Sequence, residues 1–302
     1  MPSFAFNDND AKFLSHEEQR DIAAGFLTKS GADFDKIVLA LDGMLVWTIQ
    51  PQTADCEIIK IGERMFHCYR KDKFGFLLMA GCDHDTKFRW ADISHPAVTS
   101  DYLAWTTSGV GRDLGDENST LIIEGHSIAG DNAFVENNTM STPVPGLNIT
   151  VVEDAYNFYL SQVRITIERA FGILVHRWGL LRRPLSMSIL KVPALVFCLM
   201  RLHNFCIDTD SRRTPSPVRD NYRDDEARIQ RVAWREPNHP PAVSIDKHGT
   251  PADLMGSGHH FHDEPGGTGR RPVARGATQQ ETPMSAMMRQ VADLDLRRPN
   301  IE

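Results

Sequence analysis

Apolar runs typical of buried strands dominate the chain between residues 37 and 49. Residues 37–41 (IVLAL) form a continuous apolar run, which predicts a strand buried on both faces and ending at Asp42-Gly43. Because Asp-Gly pairs are common in turns, a simple turn is one interpretation of this end. Residues 44–49 continue with a strand-like composition.

Two further strand signals follow along the chain. Residues 74–82 and 87–93 flank the polar tetrapeptide 83–86, and this arrangement predicts a β-hairpin with a four-residue loop. A short strand and a turn are predicted at 127–131.

Helical periodicity begins after these strands. Apolar residues recur at spacings of three and four, which predicts a helix with one apolar stripe: Val163, Ile167, Ala170, Phe171, Leu174 and Trp178. Residues 192–205 are apolar on nearly every side, so a second, buried helix is predicted there. Early strands followed by helices, with acids at strand ends, predict an α/β layer fold.

The composition changes at about residue 209. The segment 209–302 holds ten of the 17 prolines and a single Phe. Such a segment buries too little apolar area to offset its ordering entropy, so we predict a disordered tail, with a short helix only at 284–296. The folded domain is then predicted at 37–208, after an N-terminal segment at 1–36.

The charge distribution changes the picture of which partners are expected. The net charge is −7, and residues 1–208 carry all of it, with 19 basic and 26 acidic residues. An acidic domain is not typical of a nucleic-acid-binding protein, but residues 164–191 hold six Lys or Arg and one acid. The longest apolar run has seven residues, whereas a membrane span needs about 20, so no membrane partner is expected.

Cysteine usage points to a reducing compartment. The five cysteines are odd in number and all lie within the first 206 residues, which argues against a disulfide framework. Three residues on the apolar helix, Cys198, His203 and Cys206, fit no standard zinc spacing. The histidines of the tail, His259, His260 and His262, belong to a His-rich stretch of the segment predicted to be disordered.

Three aspartates each allow a structural and a functional interpretation. Asp42 and Asp131 either belong to turns or stand at strand ends, where loops open onto a site. Asp101 is either an acid in the first turn of a helix beside Ser100 or a member of such a site.

Glu168 lies within the predicted helix, four residues after Arg164. Its structural interpretation is a solvated helix face, because an i, i+4 pair in this order contributes only a few tenths of a kcal/mol. Two features favour a functional role. Gly172, one turn further on, leaves open space beside the carboxylate, and the flanking arginines suit a polyanion.

Carboxylates on separate elements are the groups that metal-assisted phosphodiester cleavage requires. Two divalent ions activate the nucleophile and neutralise charge on the phosphate. Hard cations such as Mg²⁺ or Mn²⁺ prefer oxygen ligands. Bound ions would also reverse the local charge and allow an acidic domain to bind DNA.

Six sequence pieces occur in the order found in one known family. They are ALDGMLVWTIQP, KFGFLLMAGCDH, HPAVTSDYLAW, GDNAF followed by Thr142-Pro143, DAYNFYLSQVRITIERAFGILVHRWGLLRRP and LHNFCID. Together they resemble the DDE endonuclease domain of PIF/Harbinger-type transposases, in particular the branch common in fungi and protists. The resemblance covers about residues 37–208. It implies an RNase H-like α/β fold with a mixed sheet flanked by helices, and two Mg²⁺ or Mn²⁺ ions as cofactors.

The same resemblance assigns roles to the acids. Asp42 is implied as the first catalytic acid, Asp131 as the second and Glu168 as the third, with Asp101 as a fourth metal ligand. Asp101 as the second acid is the alternative, although the 37-residue step from Asp131 to Glu168 suits the family spacing better. Phosphate contacts with DNA are expected from Arg164, Arg169, Arg177, Arg182 and Arg183.

The sequence also departs from the family pattern. Ser100 stands where many relatives have His, and Phe134 where many have Tyr. The segment 1–36 is too short for the complete helix-turn-helix that usually precedes the catalytic domain. A Myb-like partner, as used in the family, would compensate for it. A homo-oligomer is left open, and a chromosomal substrate implies the nucleus, with the cytoplasm as the alternative.

Two hypotheses follow. The first is a metal-dependent DNA endonuclease or transposase-like enzyme that cleaves or joins phosphodiesters by a two-metal mechanism. The second is a transposon-derived DNA- or protein-binding module whose catalysis is unused. The acids favour the first, and the short N-terminal segment and long tail favour the second.

Overall fold

The computed structural model of the chain describes residues 4–5, 13–30, 34–116, 118–146, 148–212, 282–294 and 296. Within these residues a seven-stranded sheet forms the centre of the fold, with β3 paired to β4 at its side and the other strands in the order β1-β5-β4-β2-β6-β7. The strands are β1 (Phe4–Ala5), β2 (Ile37–Thr48), β3 (His67–Cys68), β4 (Lys73–Cys82), β5 (Phe88–Pro96), β6 (Ser127–Ala129) and β7 (Met140–Ser141).

Helices pack around this sheet. They are α1 (His16–Ser30), α2 (Thr53–Ile59), α3 (Asp101–Thr107), α4 (Gly109–Leu114), α5 (Val151–Arg177), α6 (Val192–Arg212) and α7 (Pro283–Asp293). Short 3₁₀ helices lie at Glu63–Phe66, Gly179–Arg182 and Ile189–Lys191.

The sheet topology is that of an RNase H-like fold, as predicted. Strands β2, β4 and β5 pair in antiparallel fashion, whereas β6 is parallel to β2 and β7 is parallel to β6. Three antiparallel strands followed by two parallel strands on the far side of the first one give the order β5-β4-β2-β6-β7. The mixed sheet flanked by helices is therefore confirmed.

Strand β2 corrects one sequence prediction. The strand does not end at Asp42-Gly43 but continues to Thr48, and Asp42 pairs with Ala80 and Gly43 with Met79. The turn interpretation of Asp42-Gly43 is wrong because turn propensity is local. The antiparallel pairing with β4 holds the whole segment extended instead. Asp42 consequently lies in the middle of a strand and not at its end.

The predicted β4–β5 hairpin is confirmed. The backbone N–H of Asp83 donates to the Lys87 carbonyl over 3.0 Å, which closes the four-residue loop. The buried Asp83 carboxylate accepts hydrogen bonds from the backbone N–H groups of Asp85 and Lys87 and pairs with Arg89 Nε at 2.7 Å. This compensation allows a charged group to be buried at the loop.

Helix α5 carries the predicted apolar stripe. It begins with a capping box, in which the Thr150 hydroxyl accepts from Glu153 N and the Glu153 carboxylate accepts from Thr150 N. Trp178, just beyond the end of the helix, is half-buried. The other residues of the stripe face the sheet and are buried: Val163, Ile167, Ala170, Phe171 and Leu174. α5 packs against β2, β4, α1 and α6, and so ties the acid-bearing strand to Glu168.

Helix α6 is buried on one face only. Val192, Val196, Met200 and His203 are buried, whereas Leu202 and Phe205 are 42 % and 66 % exposed. The prediction of a wholly buried helix is therefore wrong for its outer face, because α6 has α5 and β5 on one side only.

Residues 189–210 form the one helical stretch of the described chain that is long and apolar enough to cross a membrane by length and composition. The prediction from uninterrupted apolar runs missed this stretch, because isolated polar residues such as Arg201 interrupt it. The core helix of a globular domain passes the same test, and the packing of α6 on α5 and β5 fits that explanation.

Most of the tail predicted to be disordered, residues 213–281, lies outside the described residues, as do the tail histidines. The described parts of 209–302 are helical. Helix α6 continues to Arg212, and the helix predicted at 284–296 is present as α7. α7 packs against α5 and β7 and buries Met287 and Val291, which supplies the apolar contacts that order it.

Candidate active site

Asp42 is half-buried in the middle of β2, next to other acids. Burial raises the pKa of its carboxyl from 3.8 to about 7. A hydrogen bond from the Gly43 backbone N–H, 2.8 Å to Oδ1, and the positive charge of Arg164 lower the pKa, while the negative charges of Asp131 and Asp101 raise it. The strand thus brings Asp42 into the electrostatic field of both other aspartates.

Asp101 opens helix α3 beyond the segment that follows β5. Ser100 caps this helix, with its hydroxyl accepting from Leu103 N over 3.3 Å, so the structural interpretation of Asp101 as a first-turn acid holds. Burial and then the charge of Asp131 raise the pKa of Asp101, while Arg70 and Lys71 lower it. Asp101 therefore belongs both to the start of α3 and to the acid group, which comprises Asp42, Asp101 and Asp131.

Gly43 makes the close approach of Asp101 possible. A methyl group built on Gly43 would lie 2.4 Å from Oδ1 of Asp101 and 3.1 Å from Sδ of Met79. Neighbouring positions on a strand face opposite sides of the sheet. The carboxylate of Asp101 therefore occupies the space that a side chain at position 43 would fill. This space lies on the opposite side of β2 from the Cβ atom of Asp42.

Asp131 follows β6, which lies beside β2. Its Oδ1 accepts from the backbone N–H of Ala133 over 2.8 Å, and its carbonyl accepts from Phe134 N over 3.2 Å, so the predicted turn is present. Gly130 before it allows tight packing, because an added methyl would lie 2.8 Å from both Met140 and Phe134. The parallel pairing of β6 with β2 carries Asp131 to the Asp42 side of the fold.

Glu168 is half-buried on α5, one turn after Arg164. The charges that shift the pKa of Asp42 and Asp101 do not include that of Glu168. The structure thus brings Asp42, Asp101 and Asp131 together without Glu168, and the residue of α5 whose charge reaches Asp42 is Arg164, one turn before Glu168. A methyl on Gly172 would contact nothing within 4 Å, so the predicted open space beside Glu168 is present.

The five arginines predicted to bind phosphate differ in their surroundings. Arg169, Arg182 and Arg183 are exposed. Arg164 lies near Asp42, and its Nε is buried with no hydrogen-bond partner in the described part of the chain. Arg177 donates to the His203 carbonyl over 3.2 Å and lies 3.8 Å from an Asp210 oxygen, so its guanidinium serves contacts within the protein.

The donor chemistry of the acid group fits a hard divalent cation. Three carboxylates share one region, and their mutual repulsion contributes to the raised pKa of Asp42, a cost that a bound cation would remove. Across the residues that the structure describes, however, no three His, Cys, Asp or Glu side chains lie close enough together to hold a metal ion as they stand. Ligation would therefore require side-chain movement.

The residues Cys198, His203 and Cys206 do not converge. Cys198 is exposed and Cys206 half-buried, whereas His203 is fully buried and its Nε2 lies 2.9 Å from the Thr86 carbonyl oxygen. Burial lowers the pKa of His203 to about 4, so it packs as a neutral ring against Phe88.

Sequence reasoning missed two features of this region. One is the requirement for glycine at position 43. The sequence signal for it was a glycine that directly follows an acid within an apolar strand. The other is the pair Arg70-Lys71, whose charges reach Asp101. The run YRKDK at 69–73 was its signal.

Comparison with known proteins agrees with this fold. Among curated proteins and among solved structures, none matches the chain significantly. The family described as DDE superfamily endonuclease matches residues 41–204, more than half of the chain and a range that includes Asp42, Asp101, Asp131 and Glu168. The chain belongs to the DDE superfamily endonuclease family.

Proposed function

We propose that this protein is a metal-dependent DNA endonuclease of the transposase type, related to the PIF/Harbinger branch common in fungi and protists. The observation that carries the proposal is the convergence of Asp42, Asp101 and Asp131 from β2, α3 and the end of β6, where Asp131 and Asp101 add to the effect of burial in raising the pKa of Asp42, and Asp131 does the same for Asp101. Surface acids that serve solubility alone have no reason to converge from three separate elements.

In this proposal Asp42, Asp131 and Glu168 are the catalytic acids, and Asp101 is a further metal ligand. Two Mg²⁺ or Mn²⁺ ions, when bound, would activate the attacking water or hydroxyl and neutralise the charge that develops on the phosphate. Arg164 lies next to Asp42 and balances the acid group. The exposed Arg169 and Arg183 are available for phosphates of the DNA backbone, and the exposed Arg182 would have to exchange its contacts with the His176 ring and carbonyl for a phosphate. The Myb-like partner and the nuclear location are expectations from the resemblance and are part of the same proposal.

The test is nicking of supercoiled plasmid DNA by the full chain with Mn²⁺ or Mg²⁺. We expect nicking by the wild type and only background nicking by Asp42→Asn, Asp131→Asn and Glu168→Gln. Asp101→Asn should reduce the rate by weakening metal binding, and this defect should be relieved by more Mn²⁺. The control is Asp113→Asn, an exposed acid on α4 that should nick like the wild type. Equal nicking by all variants would reject the catalytic assignment.

A second candidate function is a DNA- or protein-binding module whose catalysis is unused. The absence of a ready metal-ligating cluster among the described residues favours it. Mn²⁺ binding separates the two candidates without an activity assay. A ligand that binds only the folded state raises the midpoint of thermal unfolding. The endonuclease proposal expects this rise in the wild type and its loss in Asp42→Asn, whereas the unused module shows no Mn²⁺-dependent rise in either.

A further inference from the structure

A basic hairpin adjoins the acid group. This basic hairpin comprises residues 67–74, which are β3, the loop 69–72 and the start of β4. Its loop is closed by a hydrogen bond of 3.1 Å from the Lys71 backbone N–H to the Cys68 carbonyl, and Asp72 has the left-handed φ of 50°. Tyr69 is 71 % exposed, and Arg70 and Lys71 are also exposed.

Contacts at its base give the basic hairpin a defined shape. His67 Nε2 lies 3.1 Å from an Asp72 oxygen, and the His67 ring packs edge-on against Tyr69 at 4.8 Å between centroids. Lys73 Nζ lies 3.1 Å above the Trp47 ring, so its charge is directed onto β2. Arg70 and Lys71 are the exposed cations of the loop, and the Tyr69 side chain is exposed beside them.

Two backbone hydrogen bonds connect the residues that flank the basic hairpin to the segment that leads to Asp101. Val98 N donates to the Met65 carbonyl and Ala97 N to the Gly75 carbonyl, each over 3.1 Å. These bonds attach residues 97–98, three and four residues before Asp101, to the chain just before and just after the hairpin. In agreement with this placement, the positive charges of Arg70 and Lys71 lower the pKa of Asp101, against the larger effect of burial.

We propose that the basic hairpin binds the DNA strand entering the acid group, with Arg70 and Lys71 on backbone phosphates and Tyr69 stacked on an unpaired base. This inference rests on the proposed function and deepens it by naming single-stranded DNA next to the cleaved bond as the favoured substrate. Adjacent cations offset the repulsion between the acid group and phosphates. An exposed aromatic ring beside cations is the combination by which proteins hold single strands.

The experiment measures binding of labelled oligonucleotides by fluorescence anisotropy. The parent protein carries Asp42→Asn, which prevents cleavage, and every further variant is made in this parent. The affinity of each protein is measured for a single-stranded 20-mer and for the blunt duplex of the same sequence. Arg70→Ala with Lys71→Ala should weaken binding of both DNAs and reduce the slope of log affinity against log salt for single strands by about 1.4, for two phosphate contacts. Tyr69→Ala should weaken single-strand binding roughly 5- to 150-fold and duplex binding less than about twofold, while Tyr69→Phe retains stacking.

The matched control is Arg20→Ala with Arg201→Ala, which removes two exposed cations from α1 and α6. It should leave both affinities and the salt slope unchanged. If the hairpin double variant binds like this control while the parent protein binds DNA and the wild type nicks it, the hairpin assignment is overturned and the proposed function stands. Equal losses on duplex and single strand in Tyr69→Ala would overturn the stacking role. Absence of DNA binding by the Asp42→Asn parent together with absence of nicking by the wild type would overturn both proposals.

Discussion

The carboxylate of Asp101 lies against the backbone of Gly43, in the space that any other side chain at position 43 would fill. Two residues 58 positions apart are thus coupled, one in the middle of β2 and the other at the start of α3. Because Asp42 is the neighbour of Gly43, the contact places Asp101 beside the part of β2 that carries Asp42.

Gly43→Ala should therefore displace Asp101 from the acid group. The new methyl would lie 2.4 Å from Oδ1 and 2.9 Å from Cγ of Asp101. We expect Mn²⁺-dependent nicking to fall at least about tenfold, and the free energy of unfolding to fall by about 1–3 kcal/mol, as for overpacking elsewhere. Plasmid nicking and urea unfolding measure the two effects. Gly62→Ala is the control, since a methyl there contacts nothing within 4 Å; nicking by Gly43→Ala at the control's rate would contradict the coupling.

His203 should make stability depend on pH between about 4 and 6.5. Burial lowers its pKa from 6.5 to about 4; the neighbouring Arg177 also lowers it, while the Thr86 carbonyl and Asp83 raise it. Between these values the unfolded chain binds more protons, so the stability present above pH 6.5 is lost as the pH falls toward 4, on the order of 3 kcal/mol. Urea unfolding across this range should show a steeper loss for the wild type than for His203→Gln. Parallel curves would show that His203 does not titrate as expected.

Asn204 should hold the β4–β5 hairpin onto α6. Its Oδ1 accepts from Phe88 N over 2.9 Å and its Nδ2 donates to Phe88 O over 2.7 Å, so one side chain satisfies both backbone groups of a buried strand residue. Asn204→Ala leaves both groups unpaired and should cost about 2–4 kcal/mol of the free energy of unfolding. Urea denaturation tests this cost. Asn148→Ala, at an exposed position, should change stability by less than about 0.5 kcal/mol, and a similar small change at Asn204 would contradict the prediction.

Helix α7 should contribute to the stability of the folded domain. Met287 is 1 % exposed and lies on a helix that packs on α5 and β7. Met287→Ala should lower the free energy of unfolding by about 2–5 kcal/mol, through lost burial and the cavity left behind. Met65→Ala removes the same atoms from a side chain that is 46 % exposed and should cost much less. Equal effects in thermal or urea unfolding would indicate that α7 is not part of the cooperative unit.

The sequence by itself determined the elements whose signals are local. The apolar run at 37–41, the four-residue loop at 83–86 and the stripe from Val163 to Leu174 each report burial through their own spacing, and each corresponds to an observed strand, hairpin or helix. The order of six sequence pieces was also enough to indicate the RNase H-like fold and the family. These features depend on neighbours along the chain, which a sequence displays directly.

Only the tertiary structure decided the features that depend on distant partners. Pairing with β4 extends β2 through Asp42-Gly43, and the contact with Asp101 makes glycine necessary at position 43. Contacts with His203 and Asp210 engage Arg177 within the protein. The physical reason is the same in each case: the favourable contact joins residues far apart in the chain, so its energy is invisible to local propensity and spacing.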